Sequence, residues 1–257
     1  MQNEMRPPVI GVIGGMGPYA GLDFVQKIFG STKAKKDQDH LNCVLVSLPG
    51  SVSDRTAFLL RNEGENPAAG MFESARRLHL AGASYAAVAC NTAHAKRIFE
   101  PFCEAVKKEL SGLVIVNMLE SCAEFIKKER GGLSRIGLLA TVGTHQSGVY
   151  GEYFRKEDGF TLLEPDAAGK ENIHEAIYNE GFGIKSFSQP VTERARALVS
   201  GEINRLAEKG AQAVILGCTE LPLAIPPGAT SSIQLIDPGL IAARKLVSLA
   251  APERLAE

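Results

Sequence analysis

The chain is short of the features that would tie it to a membrane or to nucleic acid. No stretch approaches the roughly eighteen consecutive apolar residues a membrane helix requires, and the opening MQNEMRPP is neither a basic n-region nor followed by a signal-peptide pattern. Charge of one sign is missing as well. The 28 basic residues offset 29 acidic ones with no long run of either, so no field exists to gather nucleic acid or anionic lipid. Five cysteines are scattered without Cys-x-x-Cys spacing, which argues against a disulfide framework and the common structural zinc patterns. The expectation is a cytoplasmic protein with free thiols and with no metal, nucleic-acid or membrane partner.

What is present is α/β rhythm. The 257 residues, 45% of them hydrophobic, are enough for one large α/β domain or two small ones. PPVIGVIGGMG reads as a buried strand ending in a glycine turn, and an amphipathic helix follows from near Ala20. Further strand candidates lie at 42–48, 85–90, 113–117, 135–140, 213–217 and 232–236, with helical patterns between most of them. That alternation predicts parallel sheets covered by helices.

An internal repeat sharpens the picture. RRLHLAGASYAAVAC (76–90) and NRLAEKGAQAVILGC (204–218) share Arg, Leu, Gly, Ala and the terminal Cys in the same columns. IGVIGGMGP (10–18) lies over IGLLATVGT (136–144) at nearly the same offset. The two matches predict a duplicated α/β unit whose lobes face each other about a pseudo-twofold axis. We expect residues 1–116 plus 222–257 to form the lobe carrying Cys90, and 117–221 the lobe carrying Cys218. Both thiols would then reach the cleft between them, where open α/β sheets bind ligands.

Each of these cysteines precedes small polar residues, Asn91-Thr92 and Thr219-Glu220. Helices starting there would favour a thiolate and bind a carboxylate; the plain alternative is that both are small core residues. Cys43, Cys103 and Cys122 fit the core reading, since each lies in an apolar strand or on an apolar helix face. The run Gly15-Met16-Gly17-Pro18-Tyr19-Ala20 satisfies a dinucleotide fingerprint. Pro18, however, removes an amide from the turn, and no acidic residue ends the second strand candidate to hold a ribose. The plainer use of the loop is to present backbone amides to a small anion. His94 could pair with Cys90, join a metal site or simply fill space. Arg55, in the loop after the second strand candidate, and Lys185 are each suited to a carboxylate, though solvated basic side chains are common.

GGMGP, DRT, ACNTAH, LATVGT, Ile184-Lys185 and GCTELPL, taken together over most of the chain, resemble the aspartate/glutamate racemase family, and within it the aspartate racemase branch. The resemblance implies two similar α/β lobes and inversion of an amino acid's α-carbon without pyridoxal phosphate, other cofactor or metal. It implies Cys90 and Cys218 as the acid/base pair. It places Met16, Asn91, Thr92, Thr141 and Thr219 at substrate-holding positions, with Arg55 and Lys185 on the carboxylates of a small acidic amino acid. A homodimer is also implied. The first loop lacks the Asp-Ser-Gly of the glutamate branch, and Cys-Thr-Glu stands where that branch has Cys-Thr-His, so aspartate is favoured. A broader or glutamate-specific racemase, a hydantoin racemase, a decarboxylase, a maleate isomerase-like enzyme and a non-catalytic binding protein are the competing readings.

Overall fold

In the computed structural model, which describes residues 8–129, 131–225 and 233–256, the described strands form two four-stranded sheets. The first contains β1 (Val9–Gly14), β2 (Cys43–Ser47), β3 (Ala83–Val88) and β4 (Val114–Val116), in the order β2-β1-β3-β4. The second contains β5 (Arg135–Leu139), β6 (Thr161–Leu163), β7 (Ala213–Leu216) and β8 (Gln234–Ile236), in the order β6-β5-β7-β8. Every pairing is parallel, and the strand order repeats in the two halves. The central strands β1, β3, β5 and β7 are the near-continuous apolar runs, as burial on both faces demands.

Helices α1 (Pro18–Gly30), α2 (Ala68–Leu80), α3 (Lys96–Glu109) and α4 (Met118–Glu129) belong to the first half of the chain. The second half contributes α5 (Val142–Ser147), α6 (Val149–Tyr153), α7 (Ala167–Tyr178), α8 (Glu193–Glu208) and α9 (Pro238–Ala250). Two apolar clusters each belong to one half, around Leu78, Val88 and Phe102 in the first and Ile177, Val199 and Val214 in the second. A third runs through both, joining Ile10, Val12 and Phe24 to Leu119 and Ile126 of α4, to Leu138, Tyr150 and Ile215, and to Leu246 and Val247 of α9.

Residues 222–257 are shared out differently from the expected division. Helix α9 packs on α1, α4, β1 and β3, as membership of the first lobe requires, but β8 hydrogen-bonds to β7 in the second sheet. Asp237, between them, explains how the chain changes sheets. Its Oδ1 caps α9 by accepting from the amides of Gly239 at 2.8 Å and Leu240 at 3.2 Å, while Oδ2 pairs with Lys27 of α1 at 2.6 Å. Strand β6 is absent from the sequence expectations, because three half-exposed residues at a sheet edge are too few to show a period. Position 232 of the last strand candidate lies outside the described residues.

The loops that follow β1, β2, β3, β5 and β7 gather at the carboxyl ends of the sheets. Gly15, with φ at +87°, makes the first of these loops possible, for a Cβ there would lie 2.9 Å from the Leu48 nitrogen after β2. No described helix is long and apolar enough to cross a membrane.

Candidate active site

Cys90 and Cys218 occupy equivalent places. Each stands two residues beyond its strand, after Ala89, whose amide donates to the Ile13 carbonyl at 2.9 Å, or Gly217, whose amide donates to the Leu139 carbonyl at 2.6 Å. Both thiols line one narrow, largely enclosed pocket with Met16, Arg55, Asn91, Thr92, Thr141, Lys185 and Thr219. The positions singled out in the sequence are therefore brought together, and Thr56, Tyr178 and Glu220 join them. A larger open groove runs between α4 and α9 beside Ser121 and Arg244, but it holds no thiol. The expected α-helix starts are not there: short 3₁₀ turns, Thr92–His94 and Leu221–Ala224, follow the cysteines. Pro222 favours the brief turn in the second case, and α3 begins only at Lys96.

The cavity has contributions from both halves at each wall. Thr219 Oγ1 donates to the Ala89 carbonyl at 3.2 Å, and the Thr92 and Thr144 hydroxyls meet at 2.8 Å. Thr141 caps α5 by accepting from the Thr144 amide at 3.2 Å, which holds its hydroxyl 3.0 Å from that of Thr144. Asn91 Oδ1 accepts from the Tyr150 hydroxyl at 2.6 Å, leaving Asn91 Nδ2 buried without a partner. Arg55 lies within hydrogen-bonding reach of Cys90 and donates to the carbonyls of Ser53 at 3.3 Å and Met16 at 3.4 Å, while its buried Nε has no hydrogen-bond partner among the described residues.

Around Cys218 the setting is different. Its Sγ donates to Glu220 Oε2 at 2.9 Å, and Glu220 Oε1 accepts from the Gly17 amide at 3.0 Å and from the Lys185 ammonium. The glycine loop does present an amide to an anion, and that anion is Glu220. Burial first, and then the Glu220 carboxylate, push the Cys218 thiol well above its ordinary range. Burial opposes the charge on Glu220, but Lys185, the Cys218 thiol and the Gly17 amide outweigh it and hold the carboxyl low. Burial likewise opposes the charge on Lys185, and Glu220 more than restores it. The Lys185 ammonium also lies 5.4 Å from the centre of the Tyr178 ring. Tyr178 closes the end of amphipathic α7 and carries no local sequence signal of a site.

His94 serves the backbone. Its Nε2 accepts from the Met118 amide at 3.3 Å, so Nδ1 carries the proton and donates to the Cys90 carbonyl at 2.8 Å. The ring stacks on Phe99 with centroids 4.5 Å apart, and no described cluster of His, Cys, Asp and Glu could hold a metal. Burial depresses the imidazole pKa from 6.5 to about 4. The unfolded chain thus takes up a proton before the folded one does, and stability falls as pH drops from about 6.5 toward 4. The loss is about 3 kcal/mol from this group. Urea midpoints measured across that window should fall, and His94→Gln should flatten the slope; an unchanged slope would place the acid sensitivity elsewhere.

The pattern described as Asp/Glu/Hydantoin racemase matches residues 13–246. The chain is similar to the Picrophilus torridus aspartate racemase, with 29% identity, a TM-score of 0.75, and coverage of 95% of this chain and 94% of that one. It is also similar to an aspartate racemase homologue from Pyrococcus horikoshii OT3, with 27% identity, a TM-score of 0.68, and coverage of 94% and 98%. The broad specificity amino-acid racemase RacX of Bacillus subtilis is 24% identical over 250 residues, 93% of this chain and 97% of the relative. With the family pattern spanning nearly the whole chain and two thiols facing one cavity, the protein belongs to the Asp/Glu/hydantoin racemase family and is an isomerase.

Proposed function

We propose that the protein interconverts L- and D-aspartate by proton transfer between the substrate's α-carbon and the thiols of Cys90 and Cys218. The observation that carries this reading is the pair of thiols, delivered from equivalent strand ends to one pocket that also holds a half-buried guanidinium. Racemisation requires a proton to leave one face of the α-carbon and another to arrive on the opposite face. A duplicated fold supplies two such groups.

The α-proton of an amino acid is very weakly acidic while its carboxylate is ionised, so the charge that develops on removal must be stabilised. Asn91 Nδ2 and Arg55 Nε are the unpartnered donors facing that task, and the Thr92, Thr141 and Thr219 hydroxyls stand around them. A substrate filling the narrow pocket would displace water, which strengthens each contact. The basic side chains of Arg55 and Lys185 beside the thiols favour a dicarboxylate, and the aspartate racemase of Picrophilus torridus, similar over nearly the whole chain, supports the same choice. The free thiols fit a reducing compartment, the cytoplasm, and the family resemblance favours a homodimer there.

Proton NMR of L-aspartate in heavy water with the purified protein, followed by chiral separation, tests the reading. Loss of the α-proton signal together with appearance of D-aspartate is the expected outcome. Exchange with glutamate or neutral amino acids at equal rates would favour a broad specificity like that of RacX. Absence of exchange with every amino acid, with the thiols shown to be reduced, would refute racemisation.

A further inference from the structure

We propose that Tyr150, which does not itself line the pocket, is a positioning residue: its hydroxyl reaches over from the second half of the chain and fixes the Asn91 amide with Nδ2 toward the substrate. The assignment rests on the racemase reading of the pocket.

Both side chains are buried, Asn91 at 2% exposure and Tyr150 at 1%, so their polar atoms depend on the partners the fold supplies. One contact serves both. The Tyr150 hydroxyl donates to Asn91 Oδ1 at 2.6 Å, the one hydrogen bond either side chain forms among the described residues. Burial first, and then Cys122, Cys218 and Asp237, hold the phenol well above its ordinary pKa of 10, so it keeps its proton and needs an acceptor. That need decides how the amide lies. With Oδ1 toward Tyr150 the phenol proton is satisfied and the Nδ2 hydrogens are left for the pocket; with the amide turned over, the phenol proton and Oδ1 would both lack a partner. A turned amide would also present oxygen to the substrate's carboxylate.

Tyr150 is firmly seated for this task. It belongs to α6, its ring stacks on Phe154 with centroids 6.0 Å apart, and it lies in the apolar cluster that runs through both halves. Asn91 comes from the other half, 59 positions earlier, directly after Cys90. The next residue is treated alike, since Thr92 meets the Thr144 hydroxyl of α5 at 2.8 Å. Both residues that follow Cys90 are thus oriented by hydroxyls of the α5–α6 segment, and the surroundings of the first thiol depend on the second half being in place. An amide held in advance needs no ordering when substrate binds, and no reorientation as charge develops on the α-carbon.

The test is a double-mutant cycle. Tyr150→Phe keeps the ring and its packing and deletes only the oxygen. Calorimetric titration with succinate should give this variant an affinity about tenfold below the native one, and kcat/KM for aspartate should fall by about tenfold or more, with kcat sharing the loss. Asn91→Ala should weaken succinate by a similar factor, and Tyr150→Phe added to it should cost less than about twofold more, because the tyrosine acts through the amide. A tyrosine that only supported the core would lower the thermal midpoint while leaving succinate affinity native in the single variant, or would give an additive loss in the double; either result overturns the proposal. Asn91→Asp checks the direction of the amide with Tyr150 untouched. Asp still accepts from the phenol but puts oxygen where Nδ2 stood, so it should weaken succinate more than Asn91→Ala does, and native affinity would contradict the assignment. Failure of the native protein to bind succinate overturns it as well. A non-additive cycle on succinate, with no α-proton exchange on aspartate by the native protein, would sink the racemase reading while leaving the hold of Tyr150 on Asn91 intact.

Discussion

Cys90→Ala and Cys218→Ala should each reduce racemisation of both enantiomers by at least about 10³-fold, within the range a positioned acid or base contributes. Microscopic reversibility dictates this symmetry. Whichever thiol removes the proton in one direction must deliver it in the other, so losing either blocks both directions alike. The remaining thiol still reaches one face of the α-carbon. A single variant should thus exchange the α-proton of one enantiomer with solvent without inverting it, and the opposite variant should do so with the other enantiomer. Chiral chromatography reads inversion, and deuterium incorporation reads exchange. Near-normal inversion by either variant would end the two-thiol mechanism.

Gly143→Ala should have the next largest effect. Gly143 lies in α5, directly after the Thr141 cap, and an added Cβ would sit 2.3 Å from Thr56 Oγ1 and 3.1 Å from its Cβ and Cγ2. Thr56 is short and branched, so turning its side chain exchanges one collision for another. The helix and the loop must move apart, taking Thr141 away from Arg55. Displacement of about 1 Å at an active site costs about 10²-fold in rate, and turnover should fall by that order while the thermal midpoint shifts only a few degrees. Thr56→Ala in the same chain should recover part of the loss. Should Gly143→Ala instead match the native rate, close approach at this point would be irrelevant to catalysis.

Much of this arrangement could be read in the residues, and the limits have physical causes. The repeat was visible because both copies solve one problem: a helix, a turn glycine and a buried strand must deliver a side chain two positions beyond the strand. Such solutions are local, and they leave matching columns that end at Cys90 and Cys218. Strand β6 was invisible because an edge strand of three residues need bury little. The partnership of Glu220 with Lys185 was equally hidden. An acidic residue after Thr219 is plain to see, but the cation that meets it stands 35 positions earlier and is chosen by tertiary packing alone. Residues 222–257 misled for a related reason, since a strand on one sheet and a helix on the other follow each other across a single Asp237.

That crossing has a consequence for how the protein comes into being. The side chains of β1 are among the first to be synthesised, yet one of the helices that cover them, α9, is the last α-helix among the described residues. A nascent chain that has completed β1 to β4 would still expose Ile10, Val12 and Phe24, which share their core with Leu246 and Val247. Each half has an apolar cluster of its own, but the cluster they share closes only when the second half is complete. Domains with private cores emerge from the ribosome and fold in turn; here the halves should instead fold, and melt, in one cooperative transition.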